Sequence, residues 1–215
     1  VNNTNQVAVA LNAGDGTFFT ADLYTVAAAP SQLAAADFND DGFLDLVASS
    51  NGSSSVSVLI NNGDGSFAPA VFYTAGNGGQ PTEVTAGDIN NDGFPDLYVG
   101  NLGPNRLFIN NGDGTFSDAS DSLPVSPLMW TASTVIVDLN RDSIPDLLDA
   151  TYIVAESWEE LCEQEDGEYR RSCNPLLFEA DRDRLLIGNG DGSFSDASEA
   201  LPPESGEGLG LGILV

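Results

Sequence analysis

Asp37-Phe38-Asn39-Asp40-Asp41-Gly42-Phe43-Leu44-Asp45 recurs as Asp88-Ile89-Asn90-Asn91-Asp92-Gly93-Phe94-Pro95-Asp96, and again as Asp138-Leu139-Asn140-Arg141-Asp142-Ser143-Ile144-Pro145-Asp146. Each copy reads D-x-N-x-D-(G/S)-x-x-D and places side-chain oxygens at its first, third, fifth and ninth positions. A hard cation such as Ca²⁺ takes six to eight oxygens at about 2.3–2.6 Å, and a tight loop can supply them from alternate residues. The backbone carbonyl of the seventh residue (Phe43, Phe94 or Ile144) completes each expected donor set. Gly42 and Gly93 at the sixth position permit the sharp turn between the two halves of the loop. Ser143 stands there in the third copy beside the cationic Arg141, so that loop is expected to bind metal more weakly. Two calcium sites and a third, weaker one follow. Asp/Asn-rich turns form without metal too; recurrence of the ninth-position acid, always followed by Leu, favours the metal reading.

The loops begin like an EF-hand but lack its twelfth-position Glu, holding Ala48, Val99 and Asp149 instead, and no helical pattern flanks them. A different architecture is needed. The acidic loops repeat every 51 and 50 residues, and a second motif keeps the same beat. That motif is Asn12-Ala13-Gly14-Asp15-Gly16-Thr17-Phe18, with further copies 49 residues apart at 61–67 and 110–116. A fourth, at 188–194, comes 78 residues after the third because about 29 residues are inserted. Asn-Gly and Asp-Gly between apolar runs signal a hairpin, because its central residues need positive φ. Each unit therefore reads as strand, acidic loop, strand, turn, strand, Gly-Asp-Gly hairpin, strand. Four strands in about 50 residues is the size of a propeller blade. The Phe after each Gly-Asp-Gly (Phe18, Phe67, Phe116, Phe194) is expected to anchor blade packing.

These units resemble FG-GAP/VCBS repeats, the calcium-loop repeats of integrin α-chain propellers and many bacterial secreted proteins. The stretch from Cys162 through the last Gly-Asp-Gly motif to Gly208-Leu209-Gly210-Leu211-Gly212 resembles the propeller of ASPIC/UnbV-type proteins. The resemblance implies calcium in the D-x-N-x-D-G-x-x-D loops, an extracellular setting and no catalysis. Ser143 and an acidic, Trp-containing insertion over 150–184 depart from the pattern.

The expected fold is an all-β partial propeller of about four four-stranded blades. Residues 1–30 read as the end of a blade, 31–80 and 81–130 as blades with a calcium loop, 131–205 as a blade with loop and insertion, and 206–215 as the first strand of another. A seven-bladed ring would need on the order of 350 residues. The chain is thus expected to be part of a longer polypeptide, or to have its open edges covered by another chain.

With 33 acids against 6 bases and no His, the net charge of −27 makes nucleic acid and anionic membranes poor partners and divalent cations good ones. No apolar run is long enough to span a bilayer. Cys162 and Cys173 fit a disulfide in an oxidising compartment better than a zinc site, which wants four N/S ligands. Asn2 and Asn51 head glycosylation sequons.

Three functions are weighed. The first is a non-enzymatic, calcium-stabilised segment of a secreted or cell-surface protein, serving adhesion or matrix interaction with a protein or carbohydrate ligand. The second is a structural protomer of an extracellular filament or surface layer, assembling through open strand edges. The third, a polysaccharide-active enzyme, could draw only on the insertion's carboxylates (Glu156, Glu159, Glu160, Glu163, Glu165, Glu168). With no His and few cations near them, Arg170-Arg171 and Arg182/Arg184, no catalytic residue is assigned. A ligand surface, if present, is sought at Trp158, Tyr169, Arg170, Arg171 and Phe178.

Overall fold

The computed structural model describes residues 5–76, 80–125, 129–154 and 182–201. The first unit is a pair, β1 (Gln6–Val9) and β2 (Asp22–Thr25). Three antiparallel meanders follow. The second unit is β3 (Pro30–Ala36), β4 (Asp45–Ser50), β5 (Ser55–Leu59) and β6 (Val71–Thr74). The third is β7 (Gln80–Gly87), β8 (Asp96–Leu102), β9 (Arg106–Asn110) and β10 (Phe116–Asp118). The fourth is β11 (Met129–Val137), β12 (Asp146–Val154), β13 (Arg184–Gly188) and β14 (Phe194–Asp196). Among the described residues the only helical pieces are 3₁₀ turns at Ser120–Ser122 and Ser198–Ala200. This is an all-β fold of propeller-type blades, and the described residues close no ring.

The first strands β3, β7 and β11 lie side by side, so the units are stacked laterally. A β-bulge near the start of each first strand aids the stacking. At the bulges, Ser31 Oγ donates to Pro81 O at 3.2 Å and Thr82 Oγ1 to Thr131 O at 2.6 Å. The extra residue re-aims a hydroxyl at the next unit. Trp130 of β11 also pairs with Leu102 of β8 across the unit boundary.

Second strands are flanked on both sides and read accordingly. Asp45-Leu46-Val47-Ala48-Ser49-Ser50 is buried at all but one position, and β8 is buried from Asp96 to Asn101. The core lies in the seams between units. Phe38, Val47, Val56 and Val58 of the second unit meet Val84, Leu97, Val99, Phe108 and Phe116 of the third. Ile89, Tyr98 and Leu107 of the third meet Leu147, Leu186 and Phe194 of the fourth. A fully buried side chain of this size contributes roughly 1.5–3 kcal/mol.

The post-hairpin Phe residues explain how the seams register. Phe116 sits edge-on to Phe38 and Tyr73 of the preceding unit, with ring centroids 5.4 and 5.7 Å away, and Phe67 does the same with Tyr24 at 5.3 Å. Phe194 packs in the cluster that holds Ile89. Phe18 departs from the expected anchor role, being 65% exposed. The anchor closes on a preceding unit, and no described unit precedes the first.

Candidate metal loops

The three acidic loops join the first strand of a unit to the second, and they share one backbone course. Positive φ occurs at the fourth and sixth positions of each: Asp40 (57°) and Gly42 (87°), Asn91 (59°) and Gly93 (95°), Arg141 (67°) and Ser143 (69°). Asp and Asn tolerate this region; Arg and Ser carry a cost of about 1 kcal/mol each. The third loop is therefore strained twice, at the expected Ser143 and also at Arg141.

Within each loop the chain wraps around its own carboxylates. Asp37 accepts backbone N–H groups from Asp41 (3.1 Å) and Gly42 (2.7 Å). Asp88 accepts from Asp92 (3.0 Å) and Gly93 (2.9 Å), and Asp138 from Arg141 (2.6 Å), Asp142 (3.2 Å) and Ser143 (3.0 Å). The side-chain amides of Asn39, Asn90 and Asn140 donate to Asp41, Asp92 and Asp142 at 2.8–2.9 Å. The other oxygen of each of those acids accepts the N–H of Phe43, Phe94 or Ile144. Five expected donor residues per loop thus lie along one folded segment. Among the described residues no three acidic, His or Cys side chains are gathered into one cluster. The donor set nonetheless suits a hard cation, since every donor is oxygen and three of the five are anionic.

The ninth-position acids have a second task. Asp45, Asp96 and Asp146 are fully buried. One oxygen accepts the N–H of the loop's second residue: Phe38 at 2.9 Å, Ile89 at 2.9 Å and Leu139 at 2.9 Å. The other accepts the N–H that opens the hairpin: Asn61 at 2.7 Å, Asn110 at 2.8 Å and Gly188 at 3.0 Å. Each oxygen keeps a lone pair for metal. Burial pushes the Asp45 and Asp96 carboxyls up, Asp96 to about 6; the backbone hydrogen bonds oppose this, and the two neighbouring acids of each loop add to it. In these two loops the ninth acid therefore feels the loop's other two carboxylates, and a cation would relieve that repulsion.

The seventh residue links the two motifs as well. Its side chain lies on the first glycine of the hairpin, where an added Cβ would meet Phe43 at 3.0 Å (Gly63), Phe94 at 3.1 Å (Gly112) or Ile144 at 3.2 Å (Gly190). The hairpins close by N–H donation across five residues, as from Asn62 to Ser66 O and from Asn111 to Thr115 O, with both glycines at positive φ. In the second and third units the Asn61 and Asn110 amides brace the eighth loop residue's carbonyl at 3.0 and 2.9 Å. Asn110 also reaches Phe38 O of the preceding loop, at 2.9 Å. Gly188 takes this place in the fourth unit, where a Cβ would sit 2.2 Å from Pro145 O.

Of the other expected sites, Asn51 is exposed in the β4–β5 turn. Asn2, Cys162, Cys173, the insertion's glutamates and the aromatic-cationic set at Trp158, Tyr169, Arg170, Arg171 and Phe178 lie outside the described residues. Arg184 is only 4% exposed and serves the fold: Nη2 donates to Pro124 O at 2.6 Å, and Nε lies 3.7 Å from Asp196. Sequence reasoning missed Tyr98, Asn105 and Asp149, which form a buried polar group. Its one signal was an acid inside the apolar run that follows the third loop.

The sequence profile of the FG-GAP-like repeat matches residues 1–48, 37–99 and 88–148. No curated protein is similar to the chain. Among solved structures, one from Agrocybe aegerita, titled for specific recognition of non-reducing terminal N-acetylglucosamine by a lectin, aligns with a TM-score of 0.52 at 19% identity. The alignment covers 89% of this chain and 45% of that one, so the chain spans less than half of its length.

Proposed function

This chain belongs to the FG-GAP-like repeat family, and on that premise we propose that it is a calcium-braced, non-enzymatic propeller segment of a secreted or cell-surface protein, serving adhesion or matrix contact. The observation that carries this is the identical course of three loops that present the same oxygen donors. Calcium would be held by Asp37, Asn39, Asp41, the Phe43 carbonyl and Asp45, by their counterparts from Asp88 to Asp96, and more weakly by those from Asp138 to Asp146. Bound there, it supplies positive charge that screens three carboxylates against one another. The chain's own part is to hold those carboxylates with backbone N–H groups and to tie the loop to the hairpin through the ninth acid. Carbohydrate is the ligand class to try first, because the lectin named above shares the fold.

Thermal melting in millimolar calcium and in excess EGTA tests the brace. Each site filled at 100 times its Kd adds about 2.7 kcal/mol, so chelation lowers Tm by several degrees. An unchanged Tm overturns the calcium reading. Glycan-array binding in calcium then tests the ligand class.

One observation favours assembly as a second reading. Leu11, Phe18, Phe19 and Leu23 of the first unit are 43–65% exposed on one stretch, and apolar side chains gathered in this way mark contact surfaces. Light scattering in calcium separates the two: large ordered particles favour a filament or surface-layer protomer, and a monomer favours the adhesive segment.

A further inference from the structure

Matched positions in two successive seams carry opposite chemistry. In the seam between the second and third units, Val47 lies in a cluster with the cross-strand pair Val84 and Val99, all of them buried and apolar. One unit on, the same places hold Tyr98 and the cross-strand pair Thr134 and Asp149, at most 8% exposed. Tyr98 Oη donates to Asp149 Oδ2 at 2.8 Å, and Asn105 Nδ2 reaches the same oxygen at 3.0 Å. Asn105 Oδ1 accepts from Thr131 Oγ1 at 3.0 Å and from the Asn101 N–H at 2.9 Å.

That network satisfies one side of Asp149 and leaves the other bare. Asp149 Oδ1, Thr134 Oγ1, Thr151 Oγ1 and Arg184 Nη1 are all buried without a hydrogen-bond partner. They are neighbours by register. Thr134 and Arg184 stand directly across from Asp149 on either side, and Thr151 follows two residues along the same strand face. Cross-strand Cβ atoms lie about 4.5–5.5 Å apart, so these four side chains leave one face of the sheet as neighbours, and the Arg184 charge acts on Asp149. The methyl groups of Thr131 and Thr134 rest on Gly100, where a Cβ would come within 2.9 and 3.1 Å of them.

Native interiors do not leave four polar atoms bare; they fill such places with water making about three hydrogen bonds each. An anion would face Asp149 and a cation would face Arg184, so the ligand must be neutral and both donor and acceptor. We infer that the seam between the third and fourth units is an internal water site, with ordered water donating to Asp149 Oδ1 and accepting from Arg184 Nη1, and with the hydroxyls of Thr134 and Thr151 as its walls.

A crystal structure at atomic resolution is the direct test. Water density within hydrogen-bond distance of both Asp149 Oδ1 and Arg184 Nη1 is expected. Direct closure of the two side chains on each other, with no water between, overturns the inference. The double variant Thr134→Val/Asp149→Val, which gives the fourth unit the Val84/Val99 pair of the third, is expected to lose at least one long-lived internal water by ¹⁷O relaxation dispersion. An unchanged count would also overturn it. Should the variant not fold, the wild-type crystal structure still decides.

Discussion

Two residues separate the third acidic loop from the others. Arg141 and Ser143 occupy left-handed backbone that Asn91 and Gly93, or Asp40 and Gly42, occupy at less cost. Ser143→Gly is expected to raise stability by about 1 kcal/mol and to tighten calcium at that loop, read by thermal melting and calorimetric titration; a loss of stability would contradict the strain. Asp149 acts through charge. Burial pushes its carboxyl up to about 7, while Tyr98, Arg184 and Asn105 pull it down and Asp183 adds repulsion. A carboxyl raised on folding contributes stability that is whole below the unfolded value near 4 and is lost as pH rises through 7. The stability of wild type relative to Asp149→Asn should therefore decline between about pH 4 and 7, by no more than about 4 kcal/mol. A difference that stays flat with pH would show that Asp149 titrates normally.

Loop and hairpin behave as one element, and this accounts for their common period. The ninth acid accepts the N–H that opens the hairpin, and the seventh side chain covers its first glycine. Gly14 and Gly63 make a controlled pair. Both have positive φ, 90° and 86°, but a Cβ at Gly14 would meet nothing within 4 Å while one at Gly63 would meet Phe43. Gly14→Ala should cost about 1 kcal/mol. Gly63→Ala should cost more, because the Phe43 ring must also move. Equal losses in denaturant unfolding would mean that the ring does not brace the turn. Between units, Phe116 joins its hairpin to the preceding loop through Phe38. Phe116→Ala is expected to cost about 3–5 kcal/mol.

At the scale of the molecule, the net charge of −27 sets how the chain responds to its solvent. Carboxylates crowd the loops, so without calcium the folded chain repels itself and added salt should help it. Raising ionic strength from about 0.01 to 0.15 M in EGTA is expected to raise Tm, and to do so less in calcium. An equal rise in both would show that the loops carry no special share of the repulsion. The seams are also unequal. The apolar joint between the second and third units should protect amides longer than the polar joint between the third and fourth, as hydrogen exchange would show.

The order of strands, loops and turns was legible because it rests on local chemistry. Glycine at positive φ, Asn and Asp in tight turns, and a 49–51-residue beat interrupted once, before the last hairpin, are properties of the chain's local sequence. The oxygen donors of the three loops were legible for the same reason. What touches what across a seam is a matter of tertiary structure. Phe116 finds Phe38 across 78 residues and Asp149 finds Tyr98 across 51, and no local pattern encodes either meeting. Phe18 repeats the local motif of Phe116 yet is exposed, because burial depends on a neighbouring unit that the motif does not contain. Sequence determined the blades and their candidate ligands; only the packing of one blade on the next decided that the ninth acid is also a brace and that one seam is polar.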